Sequence, residues 1–363
     1  MSRWWLVPFP LLFLLALALS ACYEEKLGTA PSLDESSSYV VVGCGLSETL
    51  SLLEVSRDGH LDVQNDVQKT CQAISELKVR GDRVYGLCSL SNSLIVYDRA
   101  DLSVITEHAL GERKNPISFC FDGEGRLWTS NFVAETVEVY EFSSDGLSIV
   151  RSFDVSGATS PGSGRPGGME CAGSRVFAVL SNLDDDFLPA GDSALAVFDA
   201  DALEEVGVFE IRGKDAIAAV FREDDGLVYV TCAGDYEQGD GFVGDGRLVA
   251  FDPEAQKESW SMDISGAPFE LVLWRNLAIM GNGAEGKILV ADIEARAELD
   301  PVDIRTGGHG ELSYVSALAI ASSDMLVAAE FNSDKLFVFD LNGFSRLAGF
   351  STCDGPDTLA VME

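Results

Sequence analysis

The chain has 363 residues, of which 47% are hydrophobic and 9% aromatic, so it can bury a large core. It carries 59 acidic and 25 basic residues, and the resulting net charge of −34 excludes binding to nucleic acid and docking on anionic lipid, because both would be repelled. Only 8 of the basic residues are lysines. The surface is either that of a protein from a salt-adapted host or an ordinary acidic one, and composition leaves both open.

Residues 1–21 have the organisation of an export signal. A single arginine supplies the positive charge, and residues 11–19 form an apolar run too short to span a bilayer comfortably. The run ends in Leu19-Ser20-Ala21-Cys22, which resembles the lipobox of bacterial lipoproteins. The resemblance implies that Cys22 is lipidated and becomes the first mature residue, attached to the membrane by its acyl chains. The alternative is an ordinary secretory signal cleaved after Ala21.

The residues after the cysteine predict a location and a tether. Tyr23 stands where lipoproteins retained in the inner membrane carry an aspartate, so the resemblance favours the outer membrane of a bacterial cell envelope. Residues 22–38 are polar, acidic and serine-rich, without apolar periodicity. Such a composition predicts a flexible tether between the lipid and a folded domain at residues 39–363.

A repeated strand pattern fills that domain. Seven times a strand ends in an acid, usually after a large apolar residue, and the acids are Glu54, Asp98, Glu141, Asp199, Asp252, Asp292 and Asp340. Their spacings of 44, 43, 58, 53, 40 and 48 residues lie near the period of a propeller blade. One such unit cannot bury both of its faces alone. The pattern therefore predicts an all-β, seven-bladed β-propeller.

Each repeat contains four antiparallel strands, which we label a to d from the axis outward. Strand c ends at the repeated acid, and we expect this acid to cap the c–d turn by accepting backbone N–H bonds. The first repeat lacks strand a, while an extra strand at residues 357–361 follows the last repeat. We therefore expect the C-terminal strand to complete the first blade, which would leave no open sheet edge between the termini.

Strands b and c resemble the YVTN repeat, written Leu-Tyr-Val-Thr-Asn followed by Asn-Thr-Val-Ser-Val-Ile-Asp. Blade 3 is the best match, with Leu127-Trp128-Thr129-Ser130-Asn131 and then Glu135-Thr136-Val137-Glu138-Val139-Tyr140-Glu141. The resemblance covers residues 39–363 and implies the propeller fold. The family includes lactonase-like enzymes, dehydrogenase subunits and many surface proteins, so the resemblance leaves the function open.

Three long loops break the repeat on one face of the predicted propeller. They are residues 156–168, which lead into blade 4, and the b–c loops 182–192 and 234–246 of blades 4 and 5. Because loop variation on a rigid scaffold commonly carries function, we expect a binding face here. Its candidate residues are Arg165, Asp184, Asp185, Asp186, Asp192, Tyr236, His309 and Glu311.

Two chemistries can be assigned to these loops. Asp235, Asp240 and Asp245 are separated by glycines, and oxygen ligands of this kind suit Ca²⁺, although the spacing is not that of an EF-hand. A solvated acidic loop is the alternative. His309 and Glu311 could perform acid–base chemistry, or His309 could be an ordinary exposed loop histidine.

The cysteines predict disulfides in an exported, oxidising setting. Cys44 and Cys88 occupy equivalent positions in strand b, while Cys71 and Cys353 both precede a strand a. The topology therefore predicts the pairs Cys71–Cys88 and Cys44–Cys353. A further pair, Cys120–Cys171, would join neighbouring blades and would leave Cys232 unpaired.

The sequence as a whole favours a non-enzymatic, lipid-anchored propeller that binds a protein or glycan partner. No cofactor other than calcium is indicated. A lactonase-like, metal-assisted hydrolase is the competing class, and an accessory subunit of a periplasmic complex is a third.

Overall fold

The computed structural model describes residue 33 and residues 37–56, 59–144, 146–239, 241–304, 313–322 and 324–362. These residues form seven four-stranded antiparallel sheets arranged as a ring, with one additional two-stranded hairpin. Across these ranges the secondary structure consists of strands and turns, and no helix long and apolar enough to cross a membrane is found. The predicted all-β, seven-bladed β-propeller is confirmed.

Each blade follows the order a, b, c, d from the axis outward. The strands are β30 (Pro356–Met362), β1 (Ser38–Cys44), β2 (Thr49–Val55) and β3 (Leu61–Lys69) in blade 1; β4 (Ile74–Arg80), β5 (Arg83–Cys88), β6 (Ser93–Asp98) and β7 (Val104–Ala109) in blade 2; β8 (Pro116–Phe121), β9 (Leu127–Asn131), β10 (Thr136–Ser143) and β11 (Gly146–Asp154) in blade 3; and β12 (Pro166–Ala172), β13 (Arg175–Leu180), β14 (Ala194–Asp199) and β15 (Glu204–Glu210) in blade 4.

Blades 5 to 7 have the same organisation. Their strands are β16 (Ala216–Arg222), β17 (Leu227–Cys232), β20 (Asp245–Asp252) and β21 (Lys257–Ser265) in blade 5; β22 (Pro268–Trp274), β23 (Leu277–Asn282), β24 (Lys287–Asp292) and β25 (Ala297–Asp303) in blade 6; and β26 (Val315–Ser322), β27 (Met325–Glu330), β28 (Lys335–Asp340) and β29 (Ser345–Ser351) in blade 7. The hairpin of β18 (Tyr236–Glu237) and β19 (Gly241–Phe242) lies in the b–c loop of blade 5.

The C-terminal strand completes the first blade, as expected. Strand β30 pairs with β1 in antiparallel register from Tyr39↔Met362 to Cys44↔Pro356. Both ends of the described propeller therefore lie in one sheet, and the ring has no unpaired edge between them. Strand β1 begins at Ser38, one residue before the expected domain boundary.

The core is a ring of seven apolar layers, one between each pair of neighbouring blades. Alternation along the strands supplies both faces of a blade. In β1, Val41 packs against blade 2, whereas Val40 and Val42 pack against blade 7. Each blade is therefore stabilised by both neighbours, which explains why a single repeat would not fold alone.

Side-chain hydroxyls connect successive blades near the axis. Ser130, Ser181 and Thr231, at equivalent places in blades 3, 4 and 5, each donate to a carbonyl at the start of the next blade, over 2.6, 2.9 and 2.7 Å. In blade 7, Ser316 of strand a makes the equivalent bond to the Pro356 carbonyl, over 2.6 Å. These bonds fix the starts of the innermost strands relative to one another.

The acids that end strand c cap their turns in five blades. Asp98, Asp199, Asp252, Asp292 and Asp340 each accept at least one backbone N–H from a residue two or three positions later, at 2.8–3.0 Å. Glu54 accepts the Ser37 hydroxyl instead, and no such cap is found at Glu141 in the described part of the chain. Capping is thus confirmed for the five aspartates. The two glutamates differ because their strands continue past them, to Val55 and to Ser143.

Three disulfides are present. Cys71–Cys88 joins strands a and b of blade 2, and Cys44–Cys353 joins the end of β1 to the segment that leads into β30. Cys120–Cys171 joins the innermost strands of blades 3 and 4. Cys232 is the free cysteine of the described residues, and it is buried.

Candidate ligand site

A cavity of about 660 Å³ lies at the centre of the ring on the face that carries the long loops. We call it the central cavity. Its inner wall is built from one repeat position: the second residue of strand a lines the cavity in six of the seven blades. These residues are Ser75, Ile117, Gly167, Ile217, Phe269 and Asp357. The rest of the wall comes from loops of blades 2 to 5.

One side of the cavity is a stacked aromatic pair. The rings of Phe132 and Phe187 lie 5.9 Å apart at 17°. Arg165 packs against both, with its guanidinium carbon 4.4 Å from the Phe187 ring centre and 5.6 Å from that of Phe132. The guanidinium also pairs with Glu135, at 3.4 Å, and its side chain is only 12% exposed. Arg165 thus helps to hold the aromatic wall in place. Its predicted role on a binding face stays a prediction.

Two of the three predicted loops contact each other, and the third lines the same cavity. Gly162 passes so close to the b–c loop of blade 4 that a Cβ would lie 2.5 Å from the Leu183 carbonyl oxygen. Ser163 bonds the same residue in both directions, through its amide and its carbonyl. From the neighbouring blade 5, Tyr236 and Phe242 project from the hairpin, and both of them line the cavity.

The aromatic wall continues from this hairpin to blade 6. The Tyr236 and Phe242 rings meet edge to face with centres 5.1 Å apart, and Phe242 meets Phe269 in the same way at 5.4 Å. Edge-to-face contacts of this kind fix the ring orientations. Tyr236, predicted as a binding residue, is thus part of an ordered aromatic surface.

Two carboxyl groups interrupt the apolar lining. Asp215 immediately precedes β16, and Asp357 is the second residue of β30. Among the described residues, neither side chain has a hydrogen-bond or ion-pair partner. Their crowded surroundings disfavour the charged form, so burial raises the pKa of Asp215 to about 7 and the pKa of Asp357 to about 7.

More charged groups lie along the innermost strands. Lys78 pairs with Glu76 at 3.1 Å, and Glu76 accepts the Phe119 amide at 2.6 Å. Burial raises the pKa of Glu170 to about 7 and that of Glu270 to about 8, while Lys78 opposes both shifts. Burial disfavours the charge of Lys78, but the neighbouring glutamates outweigh this and raise its pKa. Carboxyls therefore outnumber cations around the axis.

The predicted acidic residues of the blade 4 loop lie outside the cavity. Asp184, Asp185 and Asp186 are exposed, and Asp184 accepts the amides of Asp186 and Leu188, both at 2.9 Å. Asp192 accepts the Gly213 amide at 3.2 Å. In the structure Asp184 and Asp192 shape loops, since short acidic side chains bond nearby backbone readily.

Two of the three proposed calcium ligands, Asp235 and Asp245, already interact with other groups of the protein. Asp235 lies 2.6 Å from the Lys214 ammonium, and Asp245 accepts the Asp235 amide at 2.8 Å. Asp240 is outside the described residues. No group of three or more His, Cys, Asp or Glu side chains suited to a metal ion occurs in the described part of the chain. Calcium stays a prediction, and it would have to compete with Lys214 for Asp235.

The remaining predicted residues include three that the structure does not describe and one buried thiol. His309, Glu311 and Cys22 lie outside the described residues, so their predicted roles are untested. The Cys232 thiol is fully buried, and burial raises its pKa, with the charge of Asp215 adding to the effect. This thiol is therefore an inert core group at neutral pH.

Sequence reasoning missed the cavity residues on the scaffold itself. Phe132, Phe187, Phe242 and Phe269 read as ordinary apolar residues, and Asp215 and Asp357 read as loop or strand acids. One signal could have found some of them. Strand a begins with proline in four blades, so the residue after that proline marks the cavity wall.

Comparison with known proteins supports the fold. No protein-family model matches the chain, and no curated protein matches its sequence. Among solved structures, 1565 chains match it. One is hydrazine synthase from Kuenenia stuttgartiensis, with a TM-score of 0.62 over 79% of this chain and 89% of that chain, at 13% identity. At this identity the likeness shows a shared propeller fold and carries no function.

Proposed function

We propose that the protein is an exported, lipid-anchored binding module whose ligand occupies the central cavity. The observation that carries this proposal is the cavity itself, about 660 Å³ in volume and walled by five aromatic rings. Ligand sites are commonly concave, largely apolar and provided with a few polar groups. The five rings are those of Phe132, Phe187, Tyr236, Phe242 and Phe269.

The position of the cavity also supports a binding role. The two longest b–c loops contribute to its wall, and these loops are where the repeat departs from its regular period. Loops that vary on a rigid scaffold are the usual carriers of recognition. The contacts among Arg165, Glu135 and the Phe132–Phe187 pair make this wall preorganised, which lowers the entropic cost of binding.

Export and anchoring are part of the same proposal. The three disulfides fit an oxidising compartment. Lipidation of Cys22 and the tether at residues 22–38 would then place a YVTN-type propeller on the outer membrane of a cell envelope. Metabolic labelling with an alkynyl fatty acid tests this, since wild-type protein should be labelled and C22A should not. Equal labelling of both would overturn the assignment of Cys22.

The cavity is tested with Nile red, a neutral dye that fluoresces in apolar surroundings. Ile217→Trp places a large ring in the cavity, whereas Leu347→Trp adds the same ring to an exposed outer strand, where Leu347 is 52% exposed. We expect saturable binding to wild type and L347W and a loss of at least tenfold in I217W. Equal binding by all three proteins, with native melting, would refute a ligand site in this cavity.

A hydrolase is the second candidate function, and the carboxyls of the cavity favour it. A pKa near 7 lets Asp215 and Asp357 gain and lose protons at neutral pH, as general acids and bases must. Hydrolysis of lactones or esters that is lost in both D215N and D357N would support an enzyme. Turnover unchanged in these variants would place the activity elsewhere.

A further inference from the structure

We propose that the ligand of the central cavity is an organic ammonium ion with an apolar body, bound by the Asp215 and Asp357 carboxylates and the surrounding aromatic rings. This inference rests on the proposed function, because it assigns a chemical class to the ligand of the same cavity. It extends that proposal by stating the charge the ligand must carry.

The two carboxylates are the first reason. In the described structure each lines the cavity, half-buried and without a hydrogen-bond or ion-pair partner, although acids drawn away from solvent are normally paired. They belong to blades 5 and 1, which are three steps apart in a ring of seven and hence nearly opposite. A cation in the cavity therefore has a carboxylate on either side.

The aromatic rings are the second reason. Tyr236, Phe242 and Phe269 form one wall, and Phe132 with Phe187 forms another. Ring faces attract cations and also cover apolar groups, so they suit an ammonium ion on a hydrocarbon body. The Phe132–Phe187 pair already contacts one cation, the Arg165 guanidinium.

The surrounding charges exclude the opposite ligand class. Arg113, exposed at the cavity rim, is the only basic residue among the described lining residues. Around the axis, Lys78 is outnumbered by Glu76, Glu170 and Glu270. An anion would find few cations to pair with in this cavity, and a neutral ligand would leave the charge of the ionised aspartates without a counterion.

Protons must be released when such a ligand binds near neutral pH. Burial holds the pKa of each aspartate near 7, and an adjacent ammonium ion would lower it. The titratable neighbours are Glu270 and Tyr314 beside Asp357, and the Cys232 thiol beside Asp215. A single carboxyl with a pKa near 7 predicts about tenfold tighter binding at pH 8 than at pH 6.

The test uses three probes of one shape: phenethylammonium, 2-phenylethanol and phenylacetate. Calorimetry on the wild-type protein should show phenethylammonium binding at least tenfold more tightly than the alcohol at pH 8, with no binding of phenylacetate. The preference for the ammonium should fall about tenfold at pH 6, where the probe itself stays protonated.

Variants separate this inference from the proposed function. D215N and D357N should each lose the preference for the ammonium probe over the alcohol. Asp185→Asn removes one charge from the same face outside the cavity lining and should keep the preference, which controls for the general attraction of cations to an acidic protein. An unchanged preference in both D215N and D357N, or equal binding of the three probes, would overturn the ammonium assignment. Loss of Nile red binding in I217W would still stand as support for the cavity.

Discussion

Cys44 and Cys353 are 309 residues apart in sequence, and their disulfide joins the beginning of the propeller to its end. Cys44 ends strand b of blade 1, and Cys353 lies just before the strand a that completes that blade. The bond therefore crosslinks the site at which pairing between the two ends of the chain closes the ring.

We expect this disulfide to stabilise the fold more than the local one in blade 2. In the chain-entropy account, closing a loop of 309 residues stabilises by about 6 kcal/mol, and closing one of 17 residues by about 3 kcal/mol. The double variant C44S/C353S should consequently unfold at a lower denaturant concentration than C71S/C88S. A larger loss in C71S/C88S would show that closure of the ring does not depend on this bond.

Removal of the C-terminal strand should unfold the domain. Deletion of residues 356–363 leaves β1 with an unpaired edge and removes the bond from Ser316 to the Pro356 carbonyl and the bond from the Leu77 amide to Thr358. We expect an insoluble or non-cooperatively melting product, measured by circular dichroism. Deletion of Glu363 alone, which lies beyond β30, is the control and should melt like wild type. A soluble truncated protein with native melting would contradict the closure.

The turn caps predict unequal costs for removing equivalent acids. Asp252 accepts the amides of Glu254 and Ala255 at 3.0 and 2.9 Å, so D252A should lose about 1 kcal/mol of unfolding free energy. Glu141 occupies the same repeat position in an exposed setting, and E141A should change stability by less than about 0.5 kcal/mol. Urea unfolding measures both, and D252N should lose less than D252A because its amide oxygen can still accept these N–H bonds. Equal losses in D252A and E141A would count against the cap.

The scaffold was largely predictable from the sequence because its signals are local and repeated. Three signals appear when the repeats are aligned with one another. They are the acid after strand c, the matched positions of Cys44 and Cys88, and the surplus strand at the C-terminus. The hydrogen bonds of the loop acids were harder to predict: Asp184 looks free in sequence, yet it accepts the amides of its own turn.

The carboxyl pair of the central cavity could not be predicted in the same way. Asp215 and Asp357 are 142 residues apart and share a cavity only because the ring brings the starts of all innermost strands to one axis. The packing of Arg165 could not be predicted for a related reason. Whether a loop residue faces solvent or packs behind an aromatic pair depends on how neighbouring loops fold together, and no repeat position encodes that.

The buried carboxylate of Asp122 should be among the most sensitive single positions in blade 3. It accepts from the Arg126 guanidinium at 2.8 Å, the Trp128 indole at 2.9 Å and the amides of Glu124 and Arg126. D122A leaves a nearly buried arginine without its carboxylate partner. We therefore expect the unfolding free energy, measured in urea, to fall by about 3–5 kcal/mol. The corresponding turn of blade 5 offers a control, because Asp224 is 82% exposed and D224A should cost at most about 1 kcal/mol. A loss below about 1 kcal/mol in D122A would contradict this account.

The raised carboxyl pKa values predict that stability falls as pH rises. Asp215, Glu170 and Asp357 have pKa values of about 7 and Glu270 of about 8 in the folded protein, whereas carboxyls of an unfolded chain titrate near 4. Between about pH 4 and pH 8 the folded state therefore holds more protons than the unfolded state. Unfolding free energy must decrease with pH across this window and level off above it.

Melting temperatures at pH 5, 6, 7, 8 and 9 measure this slope, and two comparisons identify its source. Repulsion among surface acids gives the same sign, but salt screens it, so the slope that persists in 0.5 M NaCl belongs to the buried groups. Glu270→Gln removes the group with the highest pKa of these four and should flatten that slope, with a melting temperature at pH 8 closer to its value at pH 5. Asp185→Asn, an exposed change of equal charge, should leave the slope in salt unaltered. A stability that rises from pH 5 to pH 8 in high salt would mean that these carboxyls are charged in the folded protein at neutral pH.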